Sequence, residues 1–310
     1  MLTFRMPICP RQESERANGR CLEISEKNGI LQNLQAMPNK LKDQLLGRFI
    51  WYYSLFNDKN VFNFVQKRFN KNKIQLVLML IGQAAYETIS ILRKGKQAYY
   101  EKLPDIGIAF FSQNKEELII RSFFQEKRGG FFLDVGSAWP FADNNTFLLE
   151  KQFNWKGLAI DANPDYNKTW KNLRSTCSLF TFVVSNETKS LEKFYKAGGL
   201  GSTQKERRFG KKIIRGKEVN IPAITLNKLL DENGVEKIDF LSMDIEQSEV
   251  RALQGFDIAR FKPDLVCIEC TVPVRAEILA YFELNNYELI ESYMHYKSHW
   301  YFKPKMDCNR

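Results

Sequence analysis

Residues 130–164, GFFLDVGSAWPFADNNTFLLEKQFNWKGLAIDANP, predict a strand, a tight turn, a helix and a second strand, with an acidic residue at the end of each strand. Gly136 begins the turn, and Asn144 or Asn145 can cap the helix. Asp161 follows the second strand, where the ribose of a nucleotide-type cofactor lies in folds of this kind. The stretch therefore indicates a βαβ unit with a cofactor site at its strand ends.

Two kinds of cofactor use such a unit. A dinucleotide site has the pattern G-x-G-x-x-G, in which pyrophosphate lies at a helix N-terminus. Here the four residues after Gly136 are SAWP, so the second and third glycines are missing and NAD is not favoured. S-adenosylmethionine has no phosphate, and its cationic amino group suits Asp134. Because D-x-G is common by chance, the choice depends on the elements downstream.

Strands and helices continue to alternate after this unit. The further predicted strands are 178–185, 238–245, 265–268, 287–292 and 300–302, and the predicted helices are 226–233, between Thr225 and Gly234, and 273–284. This alternation is typical of an α/β protein. We predict a Rossmann-like doubly wound seven-stranded sheet with an N-terminal helical extension.

Six segments carry a resemblance to a known family. They are FSQNKEEL at 111–118, FLDVG at 132–136, NNTFLLEK at 144–151, NWKG at 154–157, IDANP at 160–164 and IDFLSMDIEQSEVRALQGFD at 238–257. From about Phe111 to Pro304 the sequence resembles FkbM-type methyltransferases, a branch of the class I S-adenosylmethionine-dependent methyltransferases. The last segment is the most specific, because the family form is D-x-E-G-x-E followed by L-x-G. Trp139-Pro140 replaces the glycine-rich turn, and Gln247 stands where the family has glycine.

The resemblance implies methyl transfer from S-adenosylmethionine to a hydroxyl on a sugar, glycan or secondary metabolite. The cofactor-binding residues that we expect are Gln113, Asp134, Gly136, Ser137, Asp161, Ser185 and Asp244. Such a reaction needs aligned atoms and a base, for which the candidates are Asp244, Glu246 and Glu269. Helix capping is the alternative role for Glu246 and Glu249.

A non-enzymatic function is the alternative to this interpretation. Gln247 and the altered first turn would suit a non-catalytic protein that binds S-adenosylmethionine or acts as a scaffold. A nucleic-acid acceptor is not favoured, because the chain has no N/D-P-P-[YFW] tetrad and no RNA-binding module. The sequence does not indicate an oligomeric state.

Charge and composition divide the chain into two parts. Residues 1–128 contain 21 Lys+Arg and 12 Asp+Glu, which accounts for nearly all of the net charge of +10. We predict a basic N-terminal helical extension over 1–105, with a disordered start, and a methyltransferase domain over 106–310. A basic segment can meet anionic lipid, nucleic acid or another acidic partner, or it can be a solvated helix surface.

Residues 74–92, IQLVLMLIGQAAYETISIL, are the most apolar part of this extension. As a helix they would span about 28 Å, just short of a bilayer core. Glu87 disfavours a span, because a carboxylate in a membrane is costly. Two interpretations remain: a membrane-associated helix, and a helix packed against protein. We expect a cytoplasmic protein, with membrane association through 74–92 left open.

Cysteines and histidines give no metal site. A single C-x-x-C pair, Cys267 and Cys270, argues against zinc, and reduced thiols suit the cytoplasm. His295 and His299 lie in YMHYKSHWYF, which predicts a terminal hairpin rather than a catalytic pair. The glycine-rich stretch 198–208 is either a surface hairpin tip or a lid over the acceptor.

Overall fold

The computed structural model describes residues 111–114, 116–209, 212–293 and 298–306, together with Gln66 and Gln75. The extension predicted for 1–105, including the apolar segment 74–92, thus lies outside the described residues except for these two glutamines. Within the described part of the chain, no helix has the length and apolar character needed to cross a bilayer.

The described residues form twelve strands and seven α-helices. The strands are β1 (Phe131–Val135), β2 (Lys156–Ile160), β3 (Cys177–Phe180), β4 (Val183–Val184), β5 (Lys189–Lys196), β6 (Glu206–Phe209), β7 (Lys212–Arg215), β8 (Lys217–Ile224), β9 (Phe240–Met243), β10 (Leu265–Glu269), β11 (Tyr287–Leu289) and β12 (His299–Pro304). The helices are α1 (Glu116–Phe123), α2 (Phe147–Phe153), α3 (Asn167–Leu173), α4 (Leu226–Glu232), α5 (Glu249–Gln254), α6 (Ile258–Phe261) and α7 (Arg275–Leu284). Short 3₁₀ turns cover Pro164–Tyr166 and Glu291–Tyr293.

Seven strands form the central sheet in the order β11-β12-β10-β9-β1-β2-β3. The five strands from β10 to β3 are parallel, and β12 and β11 add an antiparallel edge. Because the parallel strands are covered on both faces, they read as nearly continuous apolar runs. Their carboxyl ends meet at one edge of the sheet, which is where open α/β sheets place their ligands.

Helices cover both faces of this sheet, so the doubly wound fold is confirmed. Alternate residues of each strand enter one of two apolar clusters, as the two-residue period of a strand requires. One cluster joins the strands to α4, α5, α6 and α7 through residues such as Leu241, Leu253, Phe261 and Phe282. The other joins them to α1, α2 and α3 through residues such as Ile120, Phe147, Trp170 and Phe240.

The prediction of one continuous third strand over 178–185 was wrong. β3 ends at Phe180, and β4 leaves the central sheet to pair with β8, where Val183 lies opposite Ala223. β8 also pairs with β5, which gives a second sheet of three strands. The strand is interrupted at 181–182 because the apolar residues before and after this point belong to different sheets. A single apolar run in the sequence cannot reveal this division.

Candidate active site

Two clefts meet above the carboxyl ends of β1 and β9. The larger has a volume of about 540 Å³, which includes space open to solvent, and the smaller has a volume of about 350 Å³. Gly136 and Asp244 line both clefts. Of the other expected residues, Asp161 and Glu246 line the larger cleft, and Gln113, Asp134 and Ser137 line the smaller one. The structure thus gathers most of the predicted site at one sheet edge.

Gly136 has a positive φ of 82°, a conformation that favours glycine. A Cβ atom at this position would lie 1.8 Å from the carbonyl oxygen of Asp244, so any other residue would force the strand ends apart. In the structure this glycine accommodates the backbone that follows β9.

Side chains hold the turn after β1 in place of further glycines. The Ala138 amide donates to Asp161 Oδ2 at 2.9 Å, and the Ala138 carbonyl accepts from Trp170 Nε1 at 2.8 Å. Arg174 Nη1 donates to the Pro140 carbonyl at 2.9 Å. These three contacts explain how the sequence SAWP forms a stable turn without the usual glycines.

Asp134 is buried at the start of the smaller cleft. Its Oδ2 accepts from Thr146 Oγ1 at 2.7 Å and from Asn144 Nδ2 at 3.1 Å. Asn144 Oδ1 in turn accepts from the backbone amides of Thr146 and Phe147 and so holds the start of α2, but the N-cap residue is Thr146 and not Asn144 or Asn145 as predicted. Burial raises the pKa of Asp134 above its usual range despite these hydrogen bonds.

Arg174 is a buried cation that the sequence analysis missed. It forms an ion pair with Glu150, donates to Asn144 Oδ1 at 3.2 Å and to Thr146 Oγ1 at 3.1 Å, and lies over the Trp170 ring at 4.5 Å. It therefore holds both partners of the Asp134 carboxylate. A lone arginine after a helix gives no sequence signal for such a role.

Asp161 lies at the end of β2 beside apolar side chains of the larger cleft, including Ile160 and Phe182. Its oxygens accept from the Ala138 amide at 2.9 Å and from the Asn163 amide at 2.7 Å. Burial raises its pKa to about 6, although both amides favour the ionised form. The result is a fixed carboxylate at the wall of an apolar cleft.

Ser185 is the expected cofactor residue that the structure does not bring to either cleft. Its side chain is fully buried and lies 3.2 Å from Asn186 Oδ1, while its Oγ accepts from the Glu187 amide at 3.4 Å. Its contact with the adenine stays a prediction.

The segment after β9 has an unusual backbone. Glu246 and Gln247 have positive φ values of 57° and 71°. Such a conformation costs a residue with a side chain about 1–2 kcal/mol, which accounts for the glycine of the family pattern at 247. Glu246 forms an ion pair with Arg207, and burial, followed by the nearby Asp244 carboxylate, raises its pKa.

Glu249 is completely buried at the start of α5. Its Oε1 accepts from the amides of Ile245 at 2.9 Å and of Gln247 at 3.3 Å, so it holds the turn before the helix. Glu269 ends β10 and lines neither cleft. Burial, followed by the charges of Asp244, Glu249 and Glu246, raises the pKa of Glu269 well above its usual range.

His299 lies in the terminal antiparallel pair, as predicted, but it also reaches the site. Its Nδ1 lies 2.7 Å from Glu116 Oε1 and its Nε2 lies 3.3 Å from Asp244 Oδ2. Burial alone would lower its pKa, but the hydrogen bonds and charges of Asp244 and Glu116 raise it to about 10. The signal in the sequence was its position, because a strand antiparallel to β10 begins beside the carboxyl end of β10 and His299 lies opposite Glu269.

The glycine-rich stretch lines the larger cleft through residues 198, 199 and 201–203. Ser202 Oγ donates to the Glu246 carbonyl at 3.1 Å, and Thr203 Oγ1 lies 2.9 Å from Ser248 Oγ. The stretch is therefore in the place that a lid requires, next to the end of β9. Its movement stays a prediction.

The family model described as the methyltransferase FkbM domain matches residues 134–289, which is half of the chain. No curated protein matches the sequence.

Several solved structures resemble the fold. One is a TehB-like SAM-dependent methyltransferase from Corynebacterium glutamicum, with 14% identity, 61% of this chain and 87% of that chain covered, and a TM-score of 0.36. Another is a precorrin-6y C5,15-methyltransferase from Geobacter metallireducens, with 11% identity, coverage of 66% and 100%, and a TM-score of 0.37. A third is a SAM-dependent methyltransferase from Thiobacillus denitrificans in complex with S-adenosyl-L-homocysteine, with 10% identity, coverage of 58% and 66%, and a TM-score of 0.28.

Proposed function

Because this chain belongs to the methyltransferase FkbM domain family, whose cofactor is S-adenosylmethionine, we propose that it methylates a hydroxyl group of a sugar, glycan or secondary metabolite. The observation that carries the proposal is the position of Asp244. This carboxylate directly follows the central strand β9 and lines both clefts. A group in that position can contact the cofactor and the acceptor at once.

The charges at the clefts fit S-adenosylmethionine rather than a dinucleotide. Among the described residues that line the clefts, the charged or titratable ones are Asp134, Asp143, Asp161, Asp244, Glu246 and His299. Five carboxylates would repel a pyrophosphate, whereas they suit an amino group, a sulfonium and the hydroxyls of a ribose. The apolar residues beside Asp161 suit an adenine ring.

We assign the two parts of the cofactor to the two clefts. Asp161 accepts hydrogen bonds from the ribose hydroxyls in the larger cleft. Asp134, Ser137 and Gln113 face the amino-acid part in the smaller cleft. Gly136 and Asp244 lie between them. The cofactor supplies a methyl group on a positively charged sulfur, and the protein supplies alignment and a base.

The proposed reaction needs little covalent help from the protein. S-adenosylmethionine, held by Asp134, Asp161 and Asp244, would supply the methyl group to the acceptor oxygen and would leave as a neutral thioether. The hydroxyl proton passes to Asp244 or Glu246, with Glu269 as the alternative base. His299 and Arg207 hold these two carboxylates in position through the contacts described above.

The test is to separate cofactor binding from turnover. In Glu246→Gln, we expect calorimetric affinity for S-adenosylmethionine to be kept and methyl transfer to fall about a hundredfold, because a general base is lost. In Asp244→Asn, which also changes a group at the cofactor, we expect both the affinity and the transfer to fall. Transfer would be measured with labelled cofactor and a panel of sugar, glycan and small-molecule hydroxyl acceptors. Asp264→Asn, which removes an exposed carboxylate at the opposite end of β10, is the matched control.

Two outcomes would overturn parts of this proposal. Full activity in both carboxylate variants would exclude their role as bases. Tight cofactor binding without transfer to any acceptor, in the wild type and in Gln247→Gly, would favour the non-catalytic alternative.

A further inference from the structure

Three carboxylates from separate elements converge below the two clefts. One oxygen each from Asp244, Glu249 and Glu269 lies within 4.8 Å of the other two. Asp244 follows β9, Glu249 begins α5 and Glu269 ends β10, so the cluster is built at the junction of two parallel strands and a helix. Bonds of about 2.0–2.6 Å to Mg²⁺ or Ca²⁺ place opposite ligand oxygens about 4–5 Å apart. A single hard cation can therefore contact all three residues.

Each of these residues has one buried oxygen without a hydrogen-bond partner, and in Asp244 and Glu249 the other oxygen is in use. Asp244 Oδ2 contacts His299, and Glu249 Oε1 binds two backbone amides. Asp244 Oδ1, Glu249 Oε2 and Glu269 Oε2 are buried and have no hydrogen-bond partner among the described residues. Glu249 gives the strongest evidence that a partner is missing, because the residue is completely buried and the turn before α5 fixes its first oxygen.

Buried carboxyl oxygens without a hydrogen-bond partner destabilise the folded protein, and more so when they are charged. The cluster needs positive charge as well as donors. His299 contacts only Asp244 among the three, and Arg207 pairs with Glu246 outside the cluster. Protons could neutralise the site, but a divalent cation would satisfy all three oxygens together.

We propose that Asp244, Glu249 and Glu269 form a binding site for a hard divalent cation of the Mg²⁺, Mn²⁺ or Ca²⁺ class. All three ligand atoms are oxygens. Cations of this class prefer oxygen ligands, whereas zinc has no such preference. Asp244 also lines the clefts, so coordination positions of the cation on that side would remain free for another ligand. Its role in orienting an acceptor hydroxyl rests on the proposed function, whereas its binding does not.

The test is direct binding of Mn²⁺ to the full-length protein, measured by calorimetry and by electron paramagnetic resonance. We expect about one Mn²⁺ per chain, displaced by excess Mg²⁺ or Ca²⁺. Glu249→Gln keeps one oxygen for the amides and replaces the other by an amide nitrogen, and Glu269→Gln removes the negative charge of the ligand at β10. Each should weaken Mn²⁺ binding by at least about tenfold, since even residues behind the ligands have effects of that size.

Glu246→Gln is the matched control for charge alone. It removes a carboxylate from the same strand end that is not one of the three ligands, so Mn²⁺ affinity should change by much less. Retained affinity for S-adenosylhomocysteine shows that each variant is folded, and if Glu249→Gln does not fold, Glu269→Gln carries the test alone.

Absence of Mn²⁺, Mg²⁺ and Ca²⁺ binding at millimolar concentration would overturn the proposal. Binding that is unchanged in both glutamine variants would overturn it too. Mn²⁺ binding in a protein that transfers no methyl group would sustain the metal site and refute only the enzymatic role.

Discussion

Asp161 is the residue whose role in cofactor recognition can be tested most directly. At pH 8 we expect Asp161→Ala to weaken binding of S-adenosylmethionine by about 2–4 kcal/mol, because charge-assisted hydrogen bonds to the ribose are lost. Isothermal calorimetry would measure the affinity, and circular dichroism would show that the variant is folded. Unchanged affinity in a folded variant would remove Asp161 from the site.

Because the pKa of Asp161 is raised, we expect the affinity for S-adenosylmethionine to depend on pH. The ionised carboxylate is the better acceptor for two hydroxyls, and the pKa of this group is about 6. The affinity should therefore be highest when the pH is above this pKa and should fall as the pH is lowered through it. In Asp161→Asn the titrating group is gone, and that part of the pH dependence should disappear.

Gln247 shows how a single residue can depart from a family pattern and still be accommodated. Its φ of 71° is left-handed. We expect Gln247→Gly to raise the free energy of unfolding by about 1 kcal/mol, because the left-handed conformation no longer opposes a side chain. Denaturant titration would measure the change. Gln254→Gly, at the end of α5 with helical geometry, should lower stability by about 1 kcal/mol, and a loss of equal size at both positions would contradict the argument.

At the scale of elements, the sequence predicted the parallel strands well because they are buried on both faces. The apolar runs at β1, β9 and β10 depend on burial alone, and each was located to within two residues. β4 was missed as a separate strand because its partner residues in β8 are distant in sequence: Val183 pairs with Ala223, which lies 40 residues further along the chain. Local pattern cannot show which of two sheets an apolar residue joins.

The turn between β1 and α2 depends on a helix that is distant in sequence, through Arg174. We expect Arg174→Met to lower the free energy of unfolding by about 3–5 kcal/mol, because it removes the buried cationic partner of the Glu150 carboxylate and leaves only the partly exposed Lys151. Adding Glu150→Gln, which keeps an acceptor for nearby amides, should recover part of the loss. Denaturant titration would measure both variants.

An exposed arginine gives the matched comparison. Arg260 pairs with Asp231 at the surface, so Arg260→Met should cost less than about 1 kcal/mol. Similar losses for Arg174→Met and Arg260→Met would show that the buried network does not support the turn.

At the scale of the whole molecule, the candidate site is assembled from distant parts of the chain. Asp134, Asp161 and Asp244 could be predicted because Asp134 lies near the end of β1 and the other two follow β2 and β9, whose carboxyl ends lie at the same sheet edge. Arg174, Arg207 and the contact from His299 to Glu116 could not, because they depend on side-chain packing between elements that no spacing relates. The convergence of Glu249 and Glu269 on Asp244 belongs to the same class.

The N-terminal third leads to a prediction about the full-length protein. If residues 74–92 engage lipid, the full chain should sediment with anionic liposomes and a fragment that starts at Glu101 should not, because it lacks the apolar segment and most of the basic excess. If both stay in the supernatant and the fragment melts at a much lower temperature, the segment packs against protein instead.

The shared wall of the two clefts, formed by Gly136 and Asp244, also bears on how binding energy adds up. In the proposed arrangement, adenosine and methionine are fragments that each occupy one cleft. Because the two fragments are joined in the intact cofactor, the entropic cost of immobilisation opposes binding once rather than twice. The free energy of binding the intact cofactor should then exceed the sum of the two fragment values, and the excess measures how rigidly this wall holds the two sites in register.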